Sequence, residues 1–388
     1  MTHARAAGAS PSVTVVGGSA TGLFTAGLLA RAGRPVTLLE GADRWAPEPR
    51  TLIVTRRMRD LLGEPGDRSI VNTINRFELM TDGRVATVPL VRPDLVIERS
   101  TLVRGLADQA EAAGVDVRMG RRVRTLRTNG DGVTLEVRYN GAIEELAATT
   151  VVGADGTFSR VARAAGWPAQ STVPLIQAIV RLPADLPADT ARVWFQPEDT
   201  SYFYWLIPES PERGALGLIG KDPQETRRRL ERFLERHRLE PLEFQAARIP
   251  CYTRWVPTRR RMGRADIYLV GDAAAHVKVT TVGGIVTGFR GAIGVADTIL
   301  HGRRSGVLRQ LRRELDWHKL LRRSLGHFRQ HDYELLLDVL NPDVKGVLGT
   351  HTRDEVGHVL LRLCLAQPRL ILLALRTLVL RPARSTAP

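Results

Sequence analysis

Gly17, Gly18, Ser19, Ala20, Thr21 and Gly22 follow directly on the apolar run Val13–Val16, and Glu40 closes a second apolar run, Val36–Leu39. A dinucleotide pyrophosphate needs a tight turn, a close backbone approach and the positive end of a helix dipole. Gly17 and Gly22 stand at the first and third positions of the G-x-G-x-x-G pattern and can supply these, while Ser19 puts only a small side chain at the second. Glu40 can accept hydrogen bonds from both ribose hydroxyls. Its charge would repel a 2′-phosphate, so the pattern suits FAD or NAD better than NADP. A merely structural strand-to-helix turn is the competing explanation.

Such residues have to be held by a strand, a turn, a helix and a second strand, and residues 23–32 carry the helical pattern between the two apolar runs. Further on, residues 97–114 read as a helix entered from an extended segment. Residues 123–127 and 133–139 read as strands of a hairpin turned at 129–132. From Trp167 to about Pro257, prolines, aromatics and short strands at 191–195 and 203–207 indicate a sheet-based substrate domain. Residues 266–270 form another buried strand, and the glycine-rich stretch 271–294 leads back into a helix. The expected fold class is therefore α/β: a Rossmann-type nucleotide-binding domain interleaved with a β-sheet substrate domain, plus a C-terminal helical region. The expected boundaries are a flexible arm over 1–12, the nucleotide domain over 13–166 with inserted substrate-domain segments around 52–98, and the substrate domain over 167–260. The nucleotide domain returns over 261–302, and the helical region, suited to membrane association, covers 303–388.

Two later segments, VVGADGTFSRVAR (151–163) and IYLVGDAAAHVKVTTVGG (267–284), stand at the distances from the first turn that flavoprotein hydroxylases show. With all three motifs the chain resembles the glutathione-reductase-like flavoprotein superfamily. That resemblance implies that Asp155 and Gly156 hold the chain against the FAD pyrophosphate, that Asp272 bonds ribityl or pyrophosphate oxygens, and that Arg99 contacts FAD. It also places Val123, Gly271 and Ile285 in the cofactor-binding set. Helix capping explains either aspartate singly but not the ordered pair. Within the superfamily, GDAAAHVKVTTVGGI (271–285), FYWLIP (203–208) and the helical tail from Tyr333 to Leu380 are similar to the geranylgeranyl reductase family.

The residues agree physically. Gly283 and Gly284 let backbone amides approach the flavin ring where negative charge develops on reduction, and a helix starting there adds its dipole. Phe203 and Trp205 share one face of a strand and suit an apolar slot over the flavin; aromatic core packing is the alternative. Tyr204 and Trp205 are the catalytic or slot candidates, Tyr204 as a member of a proton relay. The chain departs from the family in three places. Residues 41–55 lack its cysteine, and Val279 and Val282 replace a proline and a glycine, filling space beside the ring. His276 and His318 are read as structural.

The resemblance implies FAD, NAD(P)H or another external reductant, and a small-molecule or lipid substrate. The activity it implies is reduction of carbon–carbon double bonds in an isoprenoid chain, with a hydride to one alkene carbon and a proton to the other. The alternatives are an FAD-dependent monooxygenase that hydroxylates or epoxidises a natural product, and a non-catalytic flavin-containing scaffold. A halogenase is disfavoured because no lysine precedes Lys221.

The net charge of +15 is almost wholly arginine, the lysines being Lys221, Lys278, Lys319 and Lys345. Arginine-rich and alanine-rich usage can reflect genomic base composition; the alternative is an anionic partner, and since no nucleic-acid signature accompanies the charge, the membrane surface is the better candidate. In the tail, Arg362, Arg369 and Arg376 recur every seven residues in a leucine-rich stretch, a stripe suited to a membrane interface or to packing on its own domain. Cys251 and Cys364 have no metal-ligand spacing, and no metal site is expected. Without a secretory signal or an apolar run of about 20 residues, the expected location is cytoplasmic, at or near the inner membrane face.

Overall fold

A computed structural model describes residues 12–45, 47–367, 369–370 and Arg376. The expected arm up to residue 11 and most of the tail beyond 370 lie outside the described residues.

Every side chain of Val13–Val16 is buried, as a strand covered on both faces of a parallel sheet requires. It pairs in parallel with Val36–Leu39 on one side and Thr150–Gly153 on the other. Asp116–Arg118 and Ala265–Leu269 extend the sheet in the same sense, and Arg259–Met262 closes one edge antiparallel. The result is a six-stranded sheet. Helices Ala20–Arg31, Arg99–Ala112 and Ile285–His301 pack together on one face, where Phe24 and Phe289 meet edge to face at 5.0 Å. The other face is covered by a three-stranded sheet of Arg122–Asn129, Gly132–Tyr139 and Ala142–Ala148. Its third strand, AIEELAA, was not legible as one because it is mostly exposed and carries two adjacent glutamates.

The second large sheet has eight strands and joins distant parts of the chain. Thr51–Val54, Ile70–Thr81 and Arg84–Glu98 stand beside Thr190–Trp194, Tyr204–Pro208, Arg213–Ile219, Thr172–Arg181 and Pro241–Pro250. The junction is the parallel pairing of Thr190–Trp194 with Ile70–Thr81. Helix Pro223–Arg236 covers one face: Asp222 caps it by accepting from the Glu225 amide at 2.8 Å, and Leu230, Phe233 and Leu234 fill the core beneath. The opposite face turns toward the nucleotide domain.

Helices Gly306–Leu325, Gln330–Asp338, Pro342–Thr350 and Val356–Ala366 follow. The last ends before Gln367, whose backbone is extended, and the described residues 369–370 and Arg376 are again helical. Among the described residues no helix is long and apolar enough to cross a membrane, and no cluster of three His, Cys, Asp or Glu could hold a metal.

The first helix is set by a close crossing. Gly17 has φ +104°, and a Cβ there would lie 2.6 Å from the Ala154 oxygen; a Cβ at Gly22 would lie 2.1 Å from the Gly17 oxygen. Gly22→Ala is therefore expected to cost about 1–3 kcal/mol by overpacking. Gly27→Ala, which meets only the Arg31 guanidinium at 3.3 Å, is the control. Thermal melts should show a lower Tm for the first variant and none for the second.

Candidate active site

The turn's polar groups are organised by its own side chains. Ser19 caps the Ala20–Arg31 helix: its hydroxyl accepts from the Gly22 amide at 3.2 Å and donates to the Ala154 carbonyl at 3.0 Å. A serine at the second fingerprint position thus ties the turn to the neighbouring strand. No acidic residue occupies the first helical turn, so its positive end is uncompensated. The Thr21 hydroxyl is packed toward Gly271 and Gly288, where a Cβ would lie 3.1 and 2.8 Å from it. Glu40 accepts from the Gly18 amide at 2.6 Å and the Ala42 amide at 2.8 Å. These bonds orient the carboxylate and leave it further lone pairs. Trp45 closes over the same point, its ring 2.6 Å from where a Gly18 Cβ would stand; an aromatic outside any recognised motif gave no signal for this role.

The two aspartates differ. Asp155 accepts from the Ser159 hydroxyl at 2.5 Å and from the Arg160 and Val161 amides at 2.7 and 3.2 Å, so both its oxygens serve the short helix Arg160–Ala164. Capping accounts for this carboxylate, and the cleft beside it is reached by Gly156, φ +81°, whose missing Cβ would face open space. Asp272 instead sits among charges. Burial raises its pKa, and Arg99 and then Arg50 pull it back. One oxygen would lie 3.3 Å from a Cβ at Gly284, linking the 271–274 turn to the start of helix Ile285–His301.

Arg50 was missed by sequence reasoning because it follows the unpatterned stretch 41–49. Its Nη2 donates to the Ala246 carbonyl at 3.1 Å, but its buried Nε has no partner. Arg99 donates to the Glu48 carbonyl at 3.3 Å. Arg50 thus keeps a buried donor without a partner beside a second guanidinium, although Glu48 and Asp272 both act on its charge, and such a donor is one that a pyrophosphate group satisfies. Val123 is in the core under the three-stranded sheet, with its carbonyl accepting from Arg160 at 3.2 Å.

At the far end, Gly284 begins helix Ile285–His301 with no side-chain cap and no acid in its first turn, so its amides are free for an anionic ring edge. Ile285 packs on the nucleotide-domain core. Val282, the residue in place of a family glycine, has φ +53°, a strained conformation for a β-branched side chain. It lines a cavity of about 330 Å³ that continues past Thr281 and Gly283 into the eight-stranded sheet. Phe203, Trp205 and Ile207, at alternate positions, form one wall. Most of the lining is apolar; Asp94 is its only carboxylate among the described residues, and Arg353 binds it at 2.6 Å. Burial raises the Asp94 pKa, an effect that Arg353 and Lys278 partly offset.

Two expectations are corrected here. Tyr204 is on the opposite face of its strand from Trp205: its ring stacks on Phe233 at 4.1 Å and its hydroxyl donates to Asp199 at 3.0 Å, so it cannot relay protons to the cavity. Strand alternation separates it from Phe203 and Trp205. Val279 does not fill space beside the cavity but packs with Tyr252, Leu311 and Leu315 under the first C-terminal helix. His276, wholly buried against Trp255 with neither ring nitrogen bonded, has its pKa lowered to about 3 by burial and stays neutral. His318, its Nδ1 2.6 Å from the Thr280 hydroxyl, behaves likewise.

Fold and site define a flavin-dependent oxidoreductase. Residues 10–301 match the FAD binding domain family, and the chain belongs to it. It is 28% identical over 295 residues to digeranylgeranylglycerophospholipid reductase 2 of Methanopyrus kandleri, covering 71% of this chain and 73% of that protein. It is 27% identical to 6-methylpretetramide 4-monooxygenase of Streptomyces rimosus, over 74% of this chain and 55% of the relative. The fold matches a geranylgeranyl bacteriochlorophyll reductase-like protein from Thermoplasma acidophilum with TM-score 0.77 and 18% identity, over 93% of this chain and 98% of that one. The residues fit FAD: the unpaired Arg50 Nε, the glycine cradle and the two uncapped or uncompensated helix starts lie along one path.

Asp272→Ala and Arg50→Met are each expected to lower the fraction of purified protein that retains FAD, measured as the ratio of flavin to protein absorbance. Tyr204→Phe, which loses one hydrogen bond worth about 1 kcal/mol, should leave that ratio unchanged.

Proposed function

We propose that this flavoprotein saturates carbon–carbon double bonds of a long isoprenoid chain, using electrons from NAD(P)H or another external reductant. The observation that carries the reading is the predominantly apolar cavity reached from the Gly283 loop and walled by Phe203, Trp205 and Ile207. A chain without polar groups gains binding energy from such walls at roughly 25 cal/mol per Å² of apolar surface buried. The likeness to reductases of geranylgeranyl lipids supports the same substrate class.

Bound FAD, once reduced, supplies the hydride; the protein has to supply the proton and exclude water. Asp94 is the group placed to give it. Its carboxyl faces the cavity, burial favours its protonated form, and the Arg353 guanidinium stabilises the carboxylate left behind. This role answers the absence of the family cysteine, since Cys251 is not among the cavity residues.

The likeness to a monooxygenase supports a second reading, oxygenation in the same cavity. An anaerobic turnover separates them. With flavin reduced chemically and geranylgeraniol or its phospholipid ethers added, the reductase yields product two hydrogens heavier by mass, while an oxygenase yields none until air is admitted. Asp94→Asn should lower the anaerobic rate about 100-fold or more with FAD content normal. In the wild-type protein the rate should fall as pH rises through the Asp94 pKa, because only the protonated form can donate; an unchanged rate in the variant removes Asp94 from the mechanism.

Association with a membrane surface belongs to the same reading. Trp317 and Leu320 on helix Gly306–Leu325, and Leu361 and Leu365 on the helix packed beside it, are exposed, with Arg362 among them. Apolar side chains rimmed by arginine suit an anionic lipid interface. Changing Arg362, Arg369 and Arg376 to Gln is expected to weaken binding to anionic vesicles at low salt by about 1 kcal/mol per arginine in a sedimentation assay. Wild-type protein that ignores such vesicles would refute it.

A further inference from the structure

A buried ion pair stands immediately behind the loop that meets the flavin. Lys278 and Asp354 are 6% and 1% exposed, with Nζ 2.5 Å from Oδ1. The other Asp354 oxygen accepts from the Thr55 hydroxyl. Burial pushes the Asp354 carboxyl up, but Lys278 and the hydrogen bonds from Lys278 and Thr55 more than offset this and hold its pKa at about 2. The lysine belongs to the flavin loop itself, its amide donating to the Gly283 carbonyl at 3.1 Å. Its side chain folds back under that glycine. The heavy atoms nearest to the point where a Gly283 Cβ would stand are Lys278 Cε and Nζ, at 3.2 and 3.6 Å, and Thr281 Oγ1 at 3.6 Å. The aspartate comes from the turn ahead of the last described helix, far away in sequence.

A buried ion pair is a poor source of stability, because desolvation consumes most of the attraction and apolar side chains of equal volume would hold the two segments as well. A full charge in a low-dielectric interior nevertheless acts strongly on any group nearby whose own charge changes. Reduction of flavin adds negative charge to the ring edge that the amides of Gly283, Gly284 and the following helix address. Of the other nearby charges, Arg353 is hydrogen-bonded to Asp94 at 2.6 Å, and Arg290, whose buried Nη1 has no partner, feels Arg57 as well as Glu314, Asp354 and Glu355. Of the ionisable side chains against the glycine loop, Lys278 is the cation and Asp272, whose Oδ1 lies 3.3 Å from where a Gly284 Cβ would stand, the carboxylate.

We propose that Lys278 raises the reduction potential of the bound flavin and that Asp354, supplied by the C-terminal region, limits the rise. Lys278 is a positioning residue that acts through the field at the cofactor. The inference rests on FAD lying against Gly283 and Gly284 and is independent of the substrate.

The test is the two-electron midpoint potential of the purified holoprotein, measured anaerobically against reference dyes. Lys278→Met should shift the reduction equilibrium at least tenfold toward oxidised flavin, about 30 mV for a two-electron couple. Asp354→Asn should shift it in the opposite sense, and Lys278→Arg should stay near wild type. Both neutral variants break the same ion pair, so a purely structural role predicts shifts of one sign; opposite signs come only from charge. Shifts of the same sign, or no shift in either variant, overturn the proposal. If Lys278→Met does not retain FAD, Asp354→Asn decides alone, and a potential that stays or falls is the contrary result.

Discussion

The rest of the molecule depends on how closely two backbones cross. The turn at Gly17 lies on Ala154 with no room for a side chain, and Gly22 brings the first helix down onto the Gly17 carbonyl. This contact fixes the helix axis over the first strand. That helix carries Thr21 against Gly271 and Gly288, so the third motif is positioned through the first. Three segments separated by more than a hundred residues thereby form one continuous polar path along the carboxyl ends of parallel strands, the region where open α/β sheets bind ligands. The path ends where helix Ile285–His301 begins without a cap.

The eight-stranded sheet divides its labour by alternation. Tyr204 and Leu206 face helix Pro223–Arg236 and close a core with Phe233, while Phe203, Trp205 and Ile207 face the cavity. Gly217 makes this possible from the neighbouring strand: a Cβ there would lie 2.5 Å from the Trp205 ring and 2.7 Å from Gln177. A glycine in mid-strand weakens a sheet but gives an indole room to lie flat. The cavity thus depends on a missing side chain as much as on the aromatic ones.

The C-terminal region is joined to this site by charge as well as by packing. Arg353 and Asp354 are neighbours in sequence yet reach two different carboxyl or ammonium partners, Asp94 in the cavity wall and Lys278 in the loop that precedes helix Ile285–His301. The Lys278–Asp354 pair is buried, and breaking it on one side leaves an uncompensated charge, a penalty of about 3–5 kcal/mol. The short turn 351–354 is therefore held in one position, and the last wall of the cavity with it.

The sequence by itself determined the class of fold and the cofactor end of the site. Glycines at fixed spacing and an acid ending a strand are local signals, since a tight turn and a helix start are decided by neighbouring residues. Gly17, Ser19, Gly22 and Glu40 were legible from that local pattern, whereas Asp155 and Asp272 were legible only through the resemblance of their segments to flavoprotein motifs. Tertiary structure decided what those signals were used for. Asp155 spends both oxygens on a helix cap, whereas Asp272 meets Arg50 and Arg99 from elsewhere in the chain. Arg50, Asp94, Lys278 and Arg353 carry no local pattern; each becomes significant only through a partner more than forty residues away. Tyr204 failed for a different reason, because alternation along a strand says which residues share a face but not which face meets the cavity. That choice was made by helix Pro223–Arg236, whose apolar side had to be buried and took Tyr204 with it.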